Sequence, residues 1–174
     1  MSNFILVLDT NKKPLTPCKP SIARKLLAAG KVAVFRRFPY AIILKKPVTA
    51  SIESISLKID PGSKTTGIAL LQGEKVIFGA ELTHRGQVIK ASLESRRSLR
   101  RVRRNRHTRY RQARFSNRAR RKGWLAPSLQ HRVEATLTWV NKFIRLAPVS
   151  SIAMELVRFD LQQRSEERRV GKEC

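Results

Sequence analysis

Ser54-Ile55-Ser56-Leu57-Lys58-Ile59-Asp60-Pro61-Gly62 alternates apolar and polar side chains strictly as far as Asp60 and then meets a turn dipeptide. Side chains of a strand point to opposite faces in succession, so Ile55, Leu57 and Ile59 share a core face while Ser56, Lys58 and Asp60 share the other. Thr66 to Leu71 and Val76 to Leu82 repeat the pattern, separated by the turn at Gly73, which predicts a three-stranded antiparallel meander. Leu129, Val133, Leu137, Val140 and Ile144 then recur at steps of four, four, three and four, the stripe of a helix packed on a sheet. Ser151 to Leu156 alternates again and carries Glu155 on the polar side. A strand reached through a helical crossover returns parallel, most simply beside the first meander strand. Asp60 and Glu155 then become neighbours near the carboxyl ends of adjoining strands, on the side away from the apolar residues. Two carboxylates at such an edge suit Mg²⁺, which keeps several waters and accepts phosphate oxygens. Each has an ordinary alternative: Asp60 before Pro-Gly as a turn initiator, Glu155 as a surface residue.

Upstream of this region, Phe4 to Asp9 reads as a strand and Asn11 to Pro17, with two prolines, as a turn-rich break. Pro20 and Ser21 open a short helix with Ile22, Leu26 and Leu27 on one side and Gly30 as its cap. Lys31 to Arg37 and Ala41 to Leu44 read as strands. The prediction is a small β-α-β-β unit, joined through a linker at Pro47 to Glu53.

Downstream of the meander the charge becomes one-sided. Arg96, Arg97, Arg100, Arg101, Arg103, Arg104, Arg106, Arg109, Arg111, Arg114, Arg118, Arg120 and Arg121 fall in one block, and no carboxylate occurs between Glu94 and Glu134. Guanidinium groups match phosphate oxygens in pairs, so the block points to a polyanion with regularly spaced phosphates. The whole chain agrees, with 37 Lys plus Arg against 12 Asp plus Glu and a formal charge of +25 over 174 residues. Nucleic acid is the partner this charge selects. A membrane-surface helix would need Trp, Phe and Leu gathered on one face, and only Leu99, Val102, Tyr110 and Phe115 interrupt the arginines. Gln87 to Arg121 lacks turn signals and predicts one long helix. Its like charges at i,i+4 each oppose the helix by roughly 0.2 to 0.5 kcal/mol, so it should fray alone and order on phosphate. Tyr110, Phe115 and Trp124 are candidates for stacking on bases, with Trp124 equally suited to packing under the second helix.

Cys18 and Cys174 are the only cysteines, and His84, His107 and His131 lack zinc spacing, so neither a disulfide framework nor structural zinc is expected. The start has no basic leader and no long apolar segment, giving the expectation of a cytoplasmic protein without a membrane partner.

Against this residue-level reading, Leu57-Lys-Ile-Asp-Pro-Gly-Ser-Lys-Thr-Thr-Gly-Ile-Ala-Leu70 resembles the first motif of a RuvC-type nuclease domain, an RNase H-like fold. Arg100-Arg-Val-Arg-Arg104 and its continuation through Gly123-Trp-Leu-Ala-Pro-Ser128 resemble the RRXRR and bridge-helix region of the IscB-like RNA-guided DNA endonucleases, which are transposon-encoded. Pro14-Leu-Thr-Pro17 is similar to that family's Pro-Leu-Met-Pro motif, departing at Thr16, and Ile152-Ala-Met-Glu-Leu-Val-Arg-Phe-Asp160 to its second RuvC motif. The resemblance implies an α/β fold: a small β-α-β-β amino-terminal domain (1–50), then an incomplete RNase H-like (RuvC) domain. That domain comprises a first RuvC segment (51–86), a long arginine-rich bridge helix (87–122) and a second RuvC segment (123–162). It further implies that Asp60 and Glu155 are catalytic, Mg²⁺-binding residues. The arginine block would grip guide RNA and the backbone of an RNA–DNA heteroduplex with target DNA, pairing rather than protein reading the sequence. No obligate protein partner is expected.

The family continues into an HNH insert and a third RuvC motif that these residues do not carry, and residues 163–174 read as a non-family tail. The expectation is a truncated reading frame: an RNA-binding fragment inactive on its own. The alternative is a non-catalytic basic module, RNA-binding or ribosome-associated, in which both carboxylates are structural.

Overall fold

A computed structural model describes residues 3–48, 52–106, 108 and 121–156. The second half holds the meander that the alternation predicts. Strands β5 (Ile55–Pro61), β6 (Thr65–Gln72) and β7 (Lys75–Thr83) pair antiparallel in succession. Between β6 and β7 a two-residue turn uses Gly73 at φ +58°, a left-handed value that glycine adopts without a Cβ penalty. Strand β8 (Val149–Met154) returns parallel to β5, giving the sheet order β7-β6-β5-β8. Two helices intervene, α2 (Gly86–Asn105) and α3 (Pro127–Leu146). The fold is therefore mixed α/β.

The first half corrects the expected β-α-β-β unit. Pro14–Cys18 is a strand, β2, so the order is β1 (Ile5–Leu8), β2, α1 (Pro20–Ala28), β3 (Val32–Arg36), β4 (Ala41–Leu44), with sheet order β2-β1-β4-β3. Two prolines argue against a central strand, but β2 lies at the sheet edge and pairs on one side only, where a missing N–H costs nothing. Helix α1 ends as expected: Gly30 at φ +66° lets its own N–H reach Leu27 O and that of Lys31 reach Leu26 O, a Schellman cap. Its buried face is Ala23, with Leu26 and Leu27 partly covered. Ile22, assigned to that face from the sequence, is exposed.

One apolar core unites both sheets. Leu6, Leu8 and Ala41 meet Ile55, Leu57, Leu70 and the fully buried Phe143. Backbone bonds reinforce the junction: Phe4 N–H donates to Ile77 O at 2.8 Å, and the Asn3 amide brackets both polar groups of the Gly79 peptide. On α3 the core-facing residues are Val140, Phe143 and Leu146, with Trp139 packed against them. Leu129, Val133, Leu137 and Ile144, the rest of the stripe expected against the sheet, are exposed. The sheet is four strands wide, and α3 presents it one narrow seam at its carboxyl-terminal end.

The single helix expected from Gln87 to Arg121 is shorter where it is described: α2 ends at Asn105, and Arg121 is outside any helix. Among the described residues, no helix is long and apolar enough to cross a membrane.

Candidate functional site

The register of the second sheet sets carboxylates in a row. Ile59 pairs with Met154, and the Glu155 N–H donates to Ile59 O at 3.0 Å, so Asp60 of β5 and Glu155, the residue that follows β8, occupy adjoining positions. Strands in a sheet lie about 4.8 Å apart, so the two positions are next neighbours on one face. Asp60 pairs in turn with Gly67, and Gly67 with Glu81 of β7. The row across four strands is thus Glu155, Asp60, Gly67, Glu81. These residues lie opposite the core face, as the alternation from Ile55 to Asp60 requires.

Small residues keep this face open. The next row is Ala153, Lys58, Ala69, Gly79, and together the two rows line a concavity of about 760 Å³. A Cβ added to Gly67 would come within 3.5 Å of the Asp60 Cβ and 3.9 Å of its Oδ2, so the glycine leaves free space beside the carboxylate. Farther along, Ser56 and Ser151 share a hydroxyl hydrogen bond of 2.9 Å, tying β5 to β8 on the same face.

Glu81 was not among the expected site residues, yet counting back from the Gly73 turn would have found it, since a two-residue hairpin fixes every cross-strand partner. It stands two strand spacings from Asp60, about 10 Å, too far to share a cation directly. Among the described residues, no group of three or more His, Cys, Asp or Glu is gathered closely enough to hold a metal ion. The donor set at Asp60 and Glu155 is nevertheless all oxygen and carries two charges, which suits a hard cation that retains water.

Topology starts the arginine-bearing helix at the same end of the sheet. Strands β5, β7 and β8 run in one direction, so the carboxyl end of β7, from which α2 departs, lies beside Asp60 and Glu155. Open α/β sheets commonly bind ligands at the carboxyl ends of their strands. Helix α2 leans on α3 near its own first turn, where a Cβ on Gly86 would lie 3.5 Å from Ser128 O. Beyond that turn its residues are exposed from Lys90 onward. At 3.6 residues per turn, Arg96, Arg97, Arg100, Arg101, Arg103 and Arg104 fall within an arc of about 160° that continues the line of Ile89 and Leu93. Arg106 caps the helix, and it and Arg121 are exposed. Arg109, Arg111, Arg114, Arg118 and Arg120, like Tyr110 and Phe115, lie outside the described residues. Trp124 is half-exposed at the approach to α3.

At the root of α2 sits a buried polar group that sequence reasoning also passed over. His84 follows β7 directly, and its Nε2 lies 2.7 Å from Oγ1 of the fully buried Thr66. Its Nδ1 has no hydrogen-bond partner among the described residues, nor has Nδ1 of His131 or Nε of Arg132 on the first turns of α3. Burial holds the His84 pKa below the usual 6.5, assisted by the nearby Arg132 and His131 charges.

A search of curated proteins returned no match. The model of the RRXRR protein family matches residues 5–174, a span that takes in the arginine block, both carboxylates and the residues 163–174 that the sequence reading set apart. With nearly its whole length inside that match, the chain belongs to the RRXRR protein family.

Proposed function

We propose that this chain is the RNA-binding amino-terminal part of an RNA-guided, metal-dependent DNA endonuclease of IscB type, built on a RuvC-like sheet with α2 as its bridge helix. The observation that carries the reading is the parallel pairing of β5 with β8, whose register sets Asp60 beside Glu155 on an open face at the end of the sheet where the arginine helix begins. Family membership supports the same reading. The helix supplies a rod of guanidinium groups for the phosphates of guide RNA and heteroduplex. Asp60 and Glu155 would hold Mg²⁺, which supplies Lewis-acid stabilisation of a phosphodiester undergoing hydrolysis. Lys58, one row back on the same face, adds a positive charge suited to the strand being cut.

Among the described residues Asp60 and Glu155 alone adjoin, fewer carboxylates than a two-metal site requires, and the chain by itself is expected to bind RNA without cutting DNA. The test is to purify the protein and sequence the RNA that accompanies it. A discrete, transposon-derived guide supports the reading, and bulk ribosomal RNA favours a ribosome-associated basic module instead. Guide-programmed, Mg²⁺-dependent cleavage by the chain alone would overturn the assignment of an incomplete site. In a version supplied with the remaining nuclease segments, Asp60→Ala should abolish one strand cut and leave RNA binding intact.

A further inference from the structure

The arginine block does not account for the charge of the first sheet. Residues 1–50 carry ten Lys and Arg and a single carboxylate, Asp9. Within this unit the β3–β4 hairpin exposes an unusual run. Val34, Phe35, Arg36, Arg37 and Phe38 are all exposed, Phe38 to 75% and Phe35 to 40%, before the buried Pro39 anchors the turn. Two phenylalanines at the surface beside two arginines are not needed by the core of either sheet.

Phe38 is exposed and yet backed by the protein. Its ring meets Trp139 of α3 edge-on, with centroids 5.7 Å apart and an interplanar angle of 85°. Trp139 in turn lies 5.9 Å from Phe143, which is fully buried. Lys142 Nζ sits 3.7 Å over the Trp139 ring, a cation–π contact that holds a positive charge beside the same aromatic column. The column runs from core to solvent and ends in the Phe38 ring, with the exposed Arg36 and Arg37 just before it in the chain and Lys142 against Trp139.

A protein partner with an apolar surface would have to approach through Arg36, Arg37 and Lys142, cations with no ion-pair partner among the described residues. A solvated face would mix signs and carry few aromatics. A polyanion that also offers flat apolar rings satisfies both features, and that chemistry is a nucleic-acid strand with unpaired bases. A duplex hides its base faces and would use only the cations. We infer that the hairpin 34–39, together with Trp139 and Lys142, is a second nucleic-acid site that stacks an unpaired base on Phe38 and holds the adjacent phosphates with Arg36 and Arg37. The inference rests on the nucleic-acid-binding half of the reading above and not on cleavage. Helix α3 links the site to the root of α2: Trp139 is eleven residues from Ser128, about 16 Å along the axis, so one strand can touch both surfaces.

The test uses the full chain carrying Trp124→Phe, which leaves Trp139 as its only tryptophan. It is titrated with a ten-nucleotide oligouridylate, the matching oligothymidylate and an RNA duplex of equal length. Single strands should change Trp139 emission. Phe38→Ala and Phe38→Leu, the second of which keeps apolar contact with Trp139, should each weaken single-strand binding about tenfold and leave duplex binding unchanged. Arg36→Gln with Arg37→Gln should lower the salt dependence of single-strand binding by roughly 1.4 in log–log slope. A loss confined to the ribose strand assigns the site to RNA, and an equal loss on both assigns it to unpaired bases of either sugar. Unchanged single-strand affinity in all these variants, or an equal loss for single strand and duplex, overturns the site. Failure of the parent to bind any of the three probes would remove the nucleic-acid reading itself.

Discussion

His84 is placed to make folding depend on pH. Its imidazole is buried against Thr66, with Arg132 and His131 nearby, so the neutral ring is favoured in the folded protein and its pKa is lowered. Unfolded chains therefore bind more protons at this position than folded ones over the interval below pH 6.5, and stability falls as pH drops through that interval. The contribution is complete above the unfolded value and lost toward the depressed folded value. Melting temperature followed from pH 8 to pH 5 should fall, and His84→Gln should flatten the part of the curve below about 6.5. An unaltered slope in the variant would assign the pH dependence to other groups. A second residue-scale prediction concerns the turn after Asp60. A Cβ on Gly62 would stand 2.1 Å from the Thr65 carbonyl oxygen, a distance no side chain tolerates, so Gly62→Ala must shift the backbone. A loss of about 1–3 kcal/mol is expected by chemical denaturation. Gly67→Ala, whose new Cβ would make only ordinary contact with Asp60, should cost much less.

At the scale of elements, what the sequence disclosed follows from how strongly each pattern constrains the backbone. The alternation from Ile55 to Asp60, the Gly73 turn and the crossover rule were enough to deduce four strands and the parallel return of β8, and hence the adjoining backbone positions of Asp60 and Glu155. Strand β2 was hidden because Pro14 and Pro17 read as breakers, and only its place at an edge makes them compatible with pairing. The α3 stripe was misjudged because a 3.6-residue period tells that a helix has an apolar side and not how much of it the fold covers. Helix α2 shows the limit of propensity: free of glycine and proline after Gly86, it sets arginines at i,i+3 and i,i+4 on one arc, a repulsion on the order of 1–3 kcal/mol in total at low salt. Phosphates that neutralise the arc should tighten it, so helical circular dichroism should rise when RNA is added. Each arginine that contacts a phosphate contributes about 0.7 to the salt slope for a single strand. Replacing Arg96, Arg100 and Arg103 by Gln should therefore lower that slope by about 2, measured by fluorescence anisotropy between 50 and 300 mM salt. An unchanged slope would place the phosphate contacts elsewhere.

For the molecule as a whole, a large positive charge and an uncovered apolar edge act in opposition. Ile152 and Met154 share a face with the buried Leu57 and Ile59, yet they are 51% and 59% exposed, because β8 pairs only with β5 and nothing among the described residues covers its outer side. Val133, Leu137 and Ile144 on α3 add further exposed apolar surface. An open strand edge with apolar side chains is a template for association with another chain. A net charge of +25 keeps copies apart, but that repulsion reaches only about one Debye length, roughly 10 Å in 0.1 M salt and 3 Å in 1 M. Nucleic-acid-free protein should therefore stay dispersed at low salt and associate as salt rises, the reverse of a protein held together by ion pairs. Light scattering from 0.05 to 1 M NaCl would record the rise. Ile152→Lys with Met154→Lys puts charges on the exposed side chains of the edge and should suppress it, with little cost to folding because both positions are more than half exposed. If the double variant associates as readily as the parent, the contact lies on another surface. If the parent stays dispersed at 1 M, its exposed edge is too short or too twisted to recruit a second copy.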